Sequence, residues 1–257
     1  MKLSAKLRGG RSALGDLRQS GSLRALFPRS ASAALNAVTL NCAGGMTGGD
    51  RFDIAAEAEA GATLTLTTQA AERIYRATGQ QTAHLRTRLC VAAGARINWL
   101  PQETILFDRS RFARRTDVEL AGDASYLMVE PLIFGRTAMG EHLRSAQFND
   151  RLRIYRDGRL LHADATRLLG DVETHLQGAA ICRGGRAMAS IVLVHCDAGN
   201  HLSAMRDMIG TNGGVSLKSP DLLVIRLIAE SSNALRQIAI PIIARLSGAD
   251  IPKPWTL

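Results

Sequence analysis

Carboxylates placed beside glycines or inside apolar runs are the residues of this chain most suited to chemistry. The glycine-rich segment 41–52, NCAGGMTGGDRF, places the carboxylate of Asp50 at the end of a tight loop. Gly44 and Gly49 have Walker A spacing, but Asp50 stands where that phosphate-binding motif needs lysine, and Arg51 where it needs serine or threonine. Because a carboxylate would repel phosphate, phosphate binding is not indicated. The segment predicts a tight connection in which Asp50 either caps a turn or offers a fixed carboxylate to a cation.

Two further stretches, 99–108 (WLPQETILFD) and 130–141 (EPLIFGRTAMGE), place acids within apolar sequence. Carboxylates in such surroundings are costly unless they are paired or hydrated. One interpretation is that Arg136 pairs with Glu130 or Glu141 in a buried ion pair. The other is that several of these acids face a polar passage or a partner.

His195, Cys196, Asp197 and His201 form a local cluster of side chains that can bind metals. Their spacing matches no metal motif such as HExxH, and His195 closes an apolar strand at 191–194, where burial is an alternative interpretation. The four cysteines are scattered without a CxxC pair, so free thiols are predicted. No nucleophile motif such as G-x-S-x-G is present, so a hydrolase is not indicated.

The elements that must position these residues are mostly strands. Period-two alternation at 62–67 and 84–89, and an Asp157-Gly158 hairpin signal, are typical of a mainly β chain. Helical spacing appears only near the C-terminus, at 201–209 and at 231–246, where Pro241 predicts a kink or break. No linker or repeat divides the chain, so residues 1–257 are predicted to form a single domain.

The composition indicates a cytoplasmic globular protein. Of 257 residues, 46% are hydrophobic and 21% are charged, and no apolar run approaches the roughly 18 residues of a membrane span. The net charge of +9 is concentrated in the first 29 residues, which contain seven Lys/Arg against one Asp. Residues 1–14 are predicted to be poorly ordered. A nucleic-acid module built on this basic segment is the second hypothesis, but aromatic residues are only 4% and no nucleic-acid partner is expected.

Four short motifs occur in a defined order: AGGMTGGD at 43–50, TTQAAERIYR at 67–76, WLPQE at 99–103, and a Gly-Arg pair at 135–136 followed by Gly-Glu at 140–141. In this order they resemble the urease accessory proteins UreD, called UreH in some organisms. The motif residues singled out by the resemblance are Gly44, Gly45, Gly48, Gly49, Tyr75, Arg76, Pro101, Gln102, Glu103, Arg136 and Glu141.

The resemblance implies a non-catalytic maturation factor with stacked β-sheets of helical, β-helix-like winding and about two α-helices near the C-terminus. Such a protein binds the urease apoprotein and the accessory protein UreF, which docks the GTPase UreG, and assists nickel delivery to the urease active site. It implies no tightly bound cofactor, only nickel in transit, and no membrane partner.

A water-filled tunnel for nickel is also implied by the resemblance. Asp50 and Glu130 fall at its polar positions, Glu72 at a variable position, and Asp164 at a position whose register after the 157–158 hairpin is open by one residue. Intermittent carboxylates suit a hydrated cation in transit, since a closed ligand cage would hold it. The cluster of His195, Cys196 and His201 matches no family motif, so no metal ligands are assigned.

Overall fold

Two stacked β-sheets form the body of the computed structural model, which describes residues 1–136 and 139–256. From residue 35 onward the chain passes repeatedly between the sheets, and successive strands of each sheet lie mostly parallel. In the first sheet, for example, Ala55 lies beside Arg88, and Arg88 beside Asp117. The predicted mainly β fold with helical winding is therefore confirmed.

The strands of the described residues alternate between buried and exposed positions because one face of each sheet packs on the other. In chain order they are β1 (Lys2–Arg8), β2 (Arg11–Arg18), β3 (Leu23–Leu26), β4 (Leu35–Asn41), β5 (Arg51–Ala58), β6 (Thr63–Thr68), β7 (Glu72–Ile74), β8 (Ala83–Val91), β9 (Arg96–Leu100), β10 (Thr104–Leu106), β11 (Arg111–Leu120), β12 (Ser125–Phe134), β13 (Ala146–Arg156), β14 (Arg159–Gly170), β15 (Ala187–Val194), β16 (Gly213–Ser219) and β17 (Leu222–Ala229).

The first sheet has the order β14-β13-β11-β8-β5-β1-β2, and the second has the order β16-β17-β15-β12-β9-β6-β4-β3, with β10 beside β12 and β7 beside β10. Apolar side chains from both sheets, such as Leu89, Val118, Leu64 and Ile97, form the core between them. The predicted hairpin at 157–158 joins β13 to β14, with left-handed φ angles of 50° at Asp157 and 75° at Gly158.

The basic N-terminus differs from its prediction. Residues 1–14 were expected to be poorly ordered, whereas they contribute β1 and the start of β2. Leu3 and Ala5 are fully buried, while Lys2 and Lys6 point to solvent. The charges therefore occupy the outer face of a strand whose inner face is apolar, and β1 lies parallel to β5.

The described residues form three helices, of which the last two pack on the outer face of the second sheet and the first packs against apolar residues of both sheets. They are α1 (Val172–Leu176), α2 (Leu202–Ile209) and α3 (Ser232–Leu246), with 3-10 turns at Ala198–His201 and Lys253–Trp255. As predicted, two of them lie near the C-terminus. The hydroxyl of Ser231 caps α3 by accepting a 3.2 Å hydrogen bond from the backbone N–H of Ala234. No helix of the described residues is both long and apolar enough to span a bilayer.

Pro241 does not break α3, so of the predicted kink or break the break is wrong. The helix runs as one element from Ser232 to Leu246, with Pro241 on its exposed side. Ala239 precedes the proline and Ile242 follows it, and both are fully buried against the second sheet. Packing on both sides of the proline therefore holds the helix together despite the hydrogen bond that proline cannot donate.

Candidate functional site

A cavity of about 310 Å³ lies between the two sheets. Apolar side chains such as Ile54 and Leu85 form part of its wall, but four charged residues, Glu72, Arg73, Arg114 and Glu130, also line it. The structure thus brings together two of the four predicted passage carboxylates, Glu72 and Glu130.

Glu130 is buried on the inner face of β12, where it is only 5% exposed. Its Oε1 accepts a 2.7 Å hydrogen bond from the indole Nε1 of Trp99, on the neighbouring strand β9, and its Oε2 lies 3.0 Å from a guanidinium nitrogen of Arg114. Burial raises the pKa of Glu130, and the positive charge of Arg114 acts against that rise. A single carboxylate thus links both sheets.

Of the two predicted partners of Arg136, the structure shows Glu141 and not Glu130, but the pair is not buried as predicted. Arg136 contacts Glu141 through Nε and one terminal nitrogen at 3.0 Å each. This bridge lies at the surface, since the Arg136 side chain is 45% exposed, and its guanidinium covers the ring of Phe107. Residues 137 and 138 of the predicted segment 130–141 lie outside the described residues.

Arg114 and Asp150 are residues of the site that sequence reasoning missed. Arg114 donates to both carboxylate oxygens of Asp150, at 3.0 and 2.5 Å, besides its contact with Glu130. Arg114 and Asp150 are register partners on β11 and β13, which are parallel strands of the first sheet. The signal was present, because both charged residues occupy the inward positions of alternating strands that directly follow the inward phenylalanines Phe112 and Phe148.

Glu72 lies at another part of the cavity wall, at the start of β7. Its Oε1 accepts a 2.9 Å hydrogen bond from the side-chain amide of Asn41. Burial raises the pKa of Glu72 from 4.5 to about 7, and the nearby charge of Asp50 adds to the rise, although the Asn41 hydrogen bond opposes it. Glu72 therefore changes its charge close to neutral pH.

Asp50 is not among the residues that line the cavity. Its Oδ2 accepts a 2.8 Å hydrogen bond from the backbone N–H of Thr47, so it caps the turn that closes the glycine loop. Of the two interpretations of Asp50 from sequence, the structure supports the turn cap. Its influence on the cavity is electrostatic, through Glu72.

The glycine loop packs directly against the segment that follows β7. Two backbone hydrogen bonds of 2.8 Å join them. The Met46 N–H donates to the Arg73 carbonyl, and the Tyr75 N–H donates to the Met46 carbonyl. A Cβ on Gly45 would lie 2.4 Å from the Tyr75 ring and 2.6 Å from the Arg73 carbonyl oxygen.

The other residues of the glycine loop also contact the segment after β7. The Tyr75 hydroxyl donates to the Gly44 carbonyl, and the Thr47 hydroxyl donates to the Arg76 carbonyl. Gly48 and Gly49 face Gln81.

The motif 99–103 connects the cavity wall to α3. Arg236 of α3 donates to Gln102 Oε1 at 2.6 Å and to Glu103 Oε1 at 3.1 Å, and Ser232 also donates to Glu103. Pro101 and Gln102 line the cavity. These residues therefore anchor the helical layer to the sheet that carries Glu130.

Asp164 lies in β14, on the other side of Glu130. It lines a small cavity of about 10 Å³ together with Glu130, Asp150 and Ser190. Arg226 donates to Asp164 and to the Ser190 hydroxyl. Glu130 lines both cavities, whereas Glu72 lines only the larger one and Asp164 only the smaller one.

The histidine cluster lies elsewhere, at the end of β15. Asp197 contacts His195 Nδ1, and its Oδ1 lies 3.5 Å from His201 Nε2, while Cys196 is exposed. Among residues 1–136 and 139–256, no group of three or more His, Cys, Asp or Glu side chains is arranged to hold a metal ion. The cluster is thus a carboxylate that bridges two imidazoles. The predicted free thiols are confirmed for all four cysteines.

Fold and site together define a class of protein: a β-solenoid-like scaffold with a helical layer, which encloses charged side chains between its sheets. Comparison with known proteins gives the family. The model of the UreD urease accessory protein family matches residues 1–256. The chain therefore belongs to the UreD family of urease accessory proteins, which are non-catalytic maturation factors.

Individual relatives agree with this assignment over their whole length or nearly so. The urease accessory protein UreD of Ruegeria pomeroyi is 49% identical over 257 residues, covering 100% of both chains. That of Roseobacter denitrificans is 47% identical, over 100% of this chain and 93% of the relative. Urease accessory protein UreD 1 of Brucella melitensis is 45% identical, over 100% of this chain and 92% of the relative.

Proposed function

We propose that this chain is a cytoplasmic scaffold and conduit for urease maturation. It binds the urease apoprotein and UreF, which brings the GTPase UreG, and nickel passes through its interior on the way to the urease active site. Nickel is cargo here and not a resident cofactor. The observation that supports the conduit most directly is that Glu72 and Glu130 line one cavity between the sheets.

The chemistry of the lining suits a hydrated divalent cation. Carboxylate and amide oxygens from Glu72, Glu130 and Gln102 are hard donors that exchange with water in a cation's coordination shell. Sites of this kind, separated along an interior, favour entry without preventing release. Protonation of Glu72 near pH 7 weakens the first of them, so we expect transit to decline as the pH falls below about 7.

Neutralising the two carboxylates tests the conduit. We expect the double variant Glu72→Gln/Glu130→Gln to fold and to capture UreF and urease, yet to leave co-expressed urease low in nickel and in activity. Glu119→Gln is the matched control, since Glu119 is an exposed carboxylate on β11 and does not line the cavity. Nickel content of the purified urease is the readout, and normal loading by the double variant would remove the conduit role.

Capture from cells that express the urease gene cluster tests the scaffold role separately. We expect UreF and the urease subunits to co-purify with the double variant Glu72→Gln/Glu130→Gln as well as with the unaltered chain. The two functions are then distinguishable, because binding uses the outer surface and transit uses the interior. Failure of both chains to capture UreF or urease would contradict the scaffold role.

A further inference from the structure

We propose that Arg114 occupies a divalent-cation site formed by Glu130 and Asp150, and that a cation moving along the interior must displace this guanidinium. The proposal rests on the proposed conduit and adds a resident cation that competes with the cargo. Arg114 would thus be the barrier between the two cavities.

The geometry is that of one cation shared by two carboxylates. A single terminal nitrogen of Arg114 lies 3.0 Å from Glu130 Oε2 and 2.5 Å from Asp150 Oδ2. The carboxylates come from opposite sheets, β12 and β13, so the guanidinium closes the space between the sheets at this point. Arg114 is 7% exposed and Glu130 is 5% exposed.

The position of this group is what makes it a barrier. Glu130 lines both the cavity of about 310 Å³ and the cavity of about 10 Å³, while Asp150 lines only the smaller one. Arg114 lines the larger cavity and reaches Asp150 in the smaller. A cation travelling from Glu72 towards Asp164 therefore meets Arg114 between them.

Buried hydroxyls around the carboxylates provide a second, independent observation. Tyr126 and Glu130 share the inward face of β12, and Tyr126 is fully buried with no hydrogen-bond partner for its hydroxyl among the described residues. Thr116, the next inward residue after Arg114 on β11, has an equally buried hydroxyl without a partner among the described residues. Hydroxyl and carboxylate oxygens are the donors that a hard divalent cation or its bound water uses.

Charge balance favours replacement of the Arg114 guanidinium by a divalent cation. When both acids are ionised, Arg114 compensates one of the two negative charges, whereas a divalent cation would compensate both. Space for the displaced side chain is available in the larger cavity, which Arg114 already lines. The two carboxylates can therefore bind either the guanidinium of Arg114, which is part of the chain, or a divalent cation, which is mobile.

Removal of the resident cation tests the proposal. The full-length chain without a polyhistidine tag is titrated with Ni²⁺ alone, by calorimetry, as the unaltered protein and as R114M, which keeps an unbranched apolar stem and loses the charged guanidinium. We expect R114M to bind one Ni²⁺ at least about tenfold more tightly. R115M is the matched control, because Arg115 is exposed on the same strand and pairs only with Asp117 among the described residues. It should bind as the unaltered chain does.

The gain should disappear in R114M/E130Q/D150N, which removes the carboxylates as well. Equal nickel affinity in folded R114M and the unaltered chain, or a gain that survives in the triple variant, would overturn the proposal. If R114M does not fold, R114Q decides the matter, since its amide can donate to a carboxylate but carries no charge: a larger nickel-induced rise in Tm than that of the unaltered chain supports the proposal, and an equal rise refutes it. These measurements need no urease, so their outcome is separate from that of the activation assay.

Discussion

The indole N–H of Trp99 donates a 2.7 Å hydrogen bond to Glu130 Oε1, and the two side chains are 3% and 5% exposed. They lie on adjacent parallel strands, with Trp99 beside Met128 in register. The indole therefore fixes the one carboxylate that lines both cavities, and leaves its other oxygen to Arg114. The position of Glu130 is set by a neutral donor on one side and a cation on the other.

Trp99→Phe should consequently destabilise the protein by about 2–3 kcal/mol, because it leaves a buried carboxylate oxygen without a donor. Trp255→Phe is the comparison, since Trp255 Nε1 donates to a neutral acceptor, the Leu100 carbonyl, and should cost about 1 kcal/mol. Urea unfolding of both variants measures the difference. Equal costs would show that the charge of Glu130 adds nothing to the bond.

Glu72 should make stability depend on pH between about 4.5 and 7. Burial raises its pKa to about 7 in the folded chain, against 4.5 ordinarily, so the folded state binds the proton more tightly. Its contribution is favourable below pH 4.5 and is lost as the pH rises to about 7. Glu72→Gln cannot ionise, so its stability relative to the unaltered chain should increase across this window, by roughly 1–3 kcal/mol.

Unfolding free energies at a series of pH values, with Glu119→Gln as the exposed control, check the Glu72 expectation. The control should follow the unaltered chain at every pH. A Glu72→Gln curve parallel to that of the unaltered chain would mean that Glu72 titrates at an ordinary pKa.

The architecture could be predicted from the sequence because its signals are local. Alternation with period two is visible in single strands such as 62–67, and the Asp157-Gly158 turn depends on two adjacent residues. The basic N-terminus was misjudged because its charges hid the apolar inner face of β1. The break at Pro241, one of the two predicted outcomes, does not occur because tertiary packing outweighs one lost hydrogen bond.

The partners within the site could not be predicted in the same way. Arg136 is close to Glu130 in sequence, but the residue that pairs with Glu130 is Arg114, which belongs to the preceding strand and the opposite sheet. Asp150 reaches the same guanidinium from the next coil of the winding. Such contacts depend on which residues of successive coils lie side by side. The lengths of the loops between the strands determine this register, and no local sequence pattern reveals it.

Gly45→Ala should destabilise the protein by about 2–3 kcal/mol. The added methyl would lie 2.4 Å from the Tyr75 ring and 2.6 Å from the Arg73 carbonyl oxygen, which is backbone and cannot move freely. Gly79→Ala is the control, since nothing lies within 4 Å of a Cβ there, and it should be nearly neutral. Comparable unfolding midpoints for the two variants would show that the loop yields easily.

Arg236→Ala should loosen the helical layer and cost about 2–4 kcal/mol, because it leaves the buried Glu103 carboxylate without its cation. The same guanidinium donates to the carbonyls of Pro254 and Trp255, so the C-terminal turn should detach as well. Arg245→Ala, at an exposed position of the same helix, should change stability by less than about 0.5 kcal/mol. Denaturant unfolding gives the first quantity and the rate of limited proteolysis near residue 250 gives the second. If the two variants were equally stable and equally resistant to protease, the anchor between α3 and the 99–103 segment would lie in apolar packing alone.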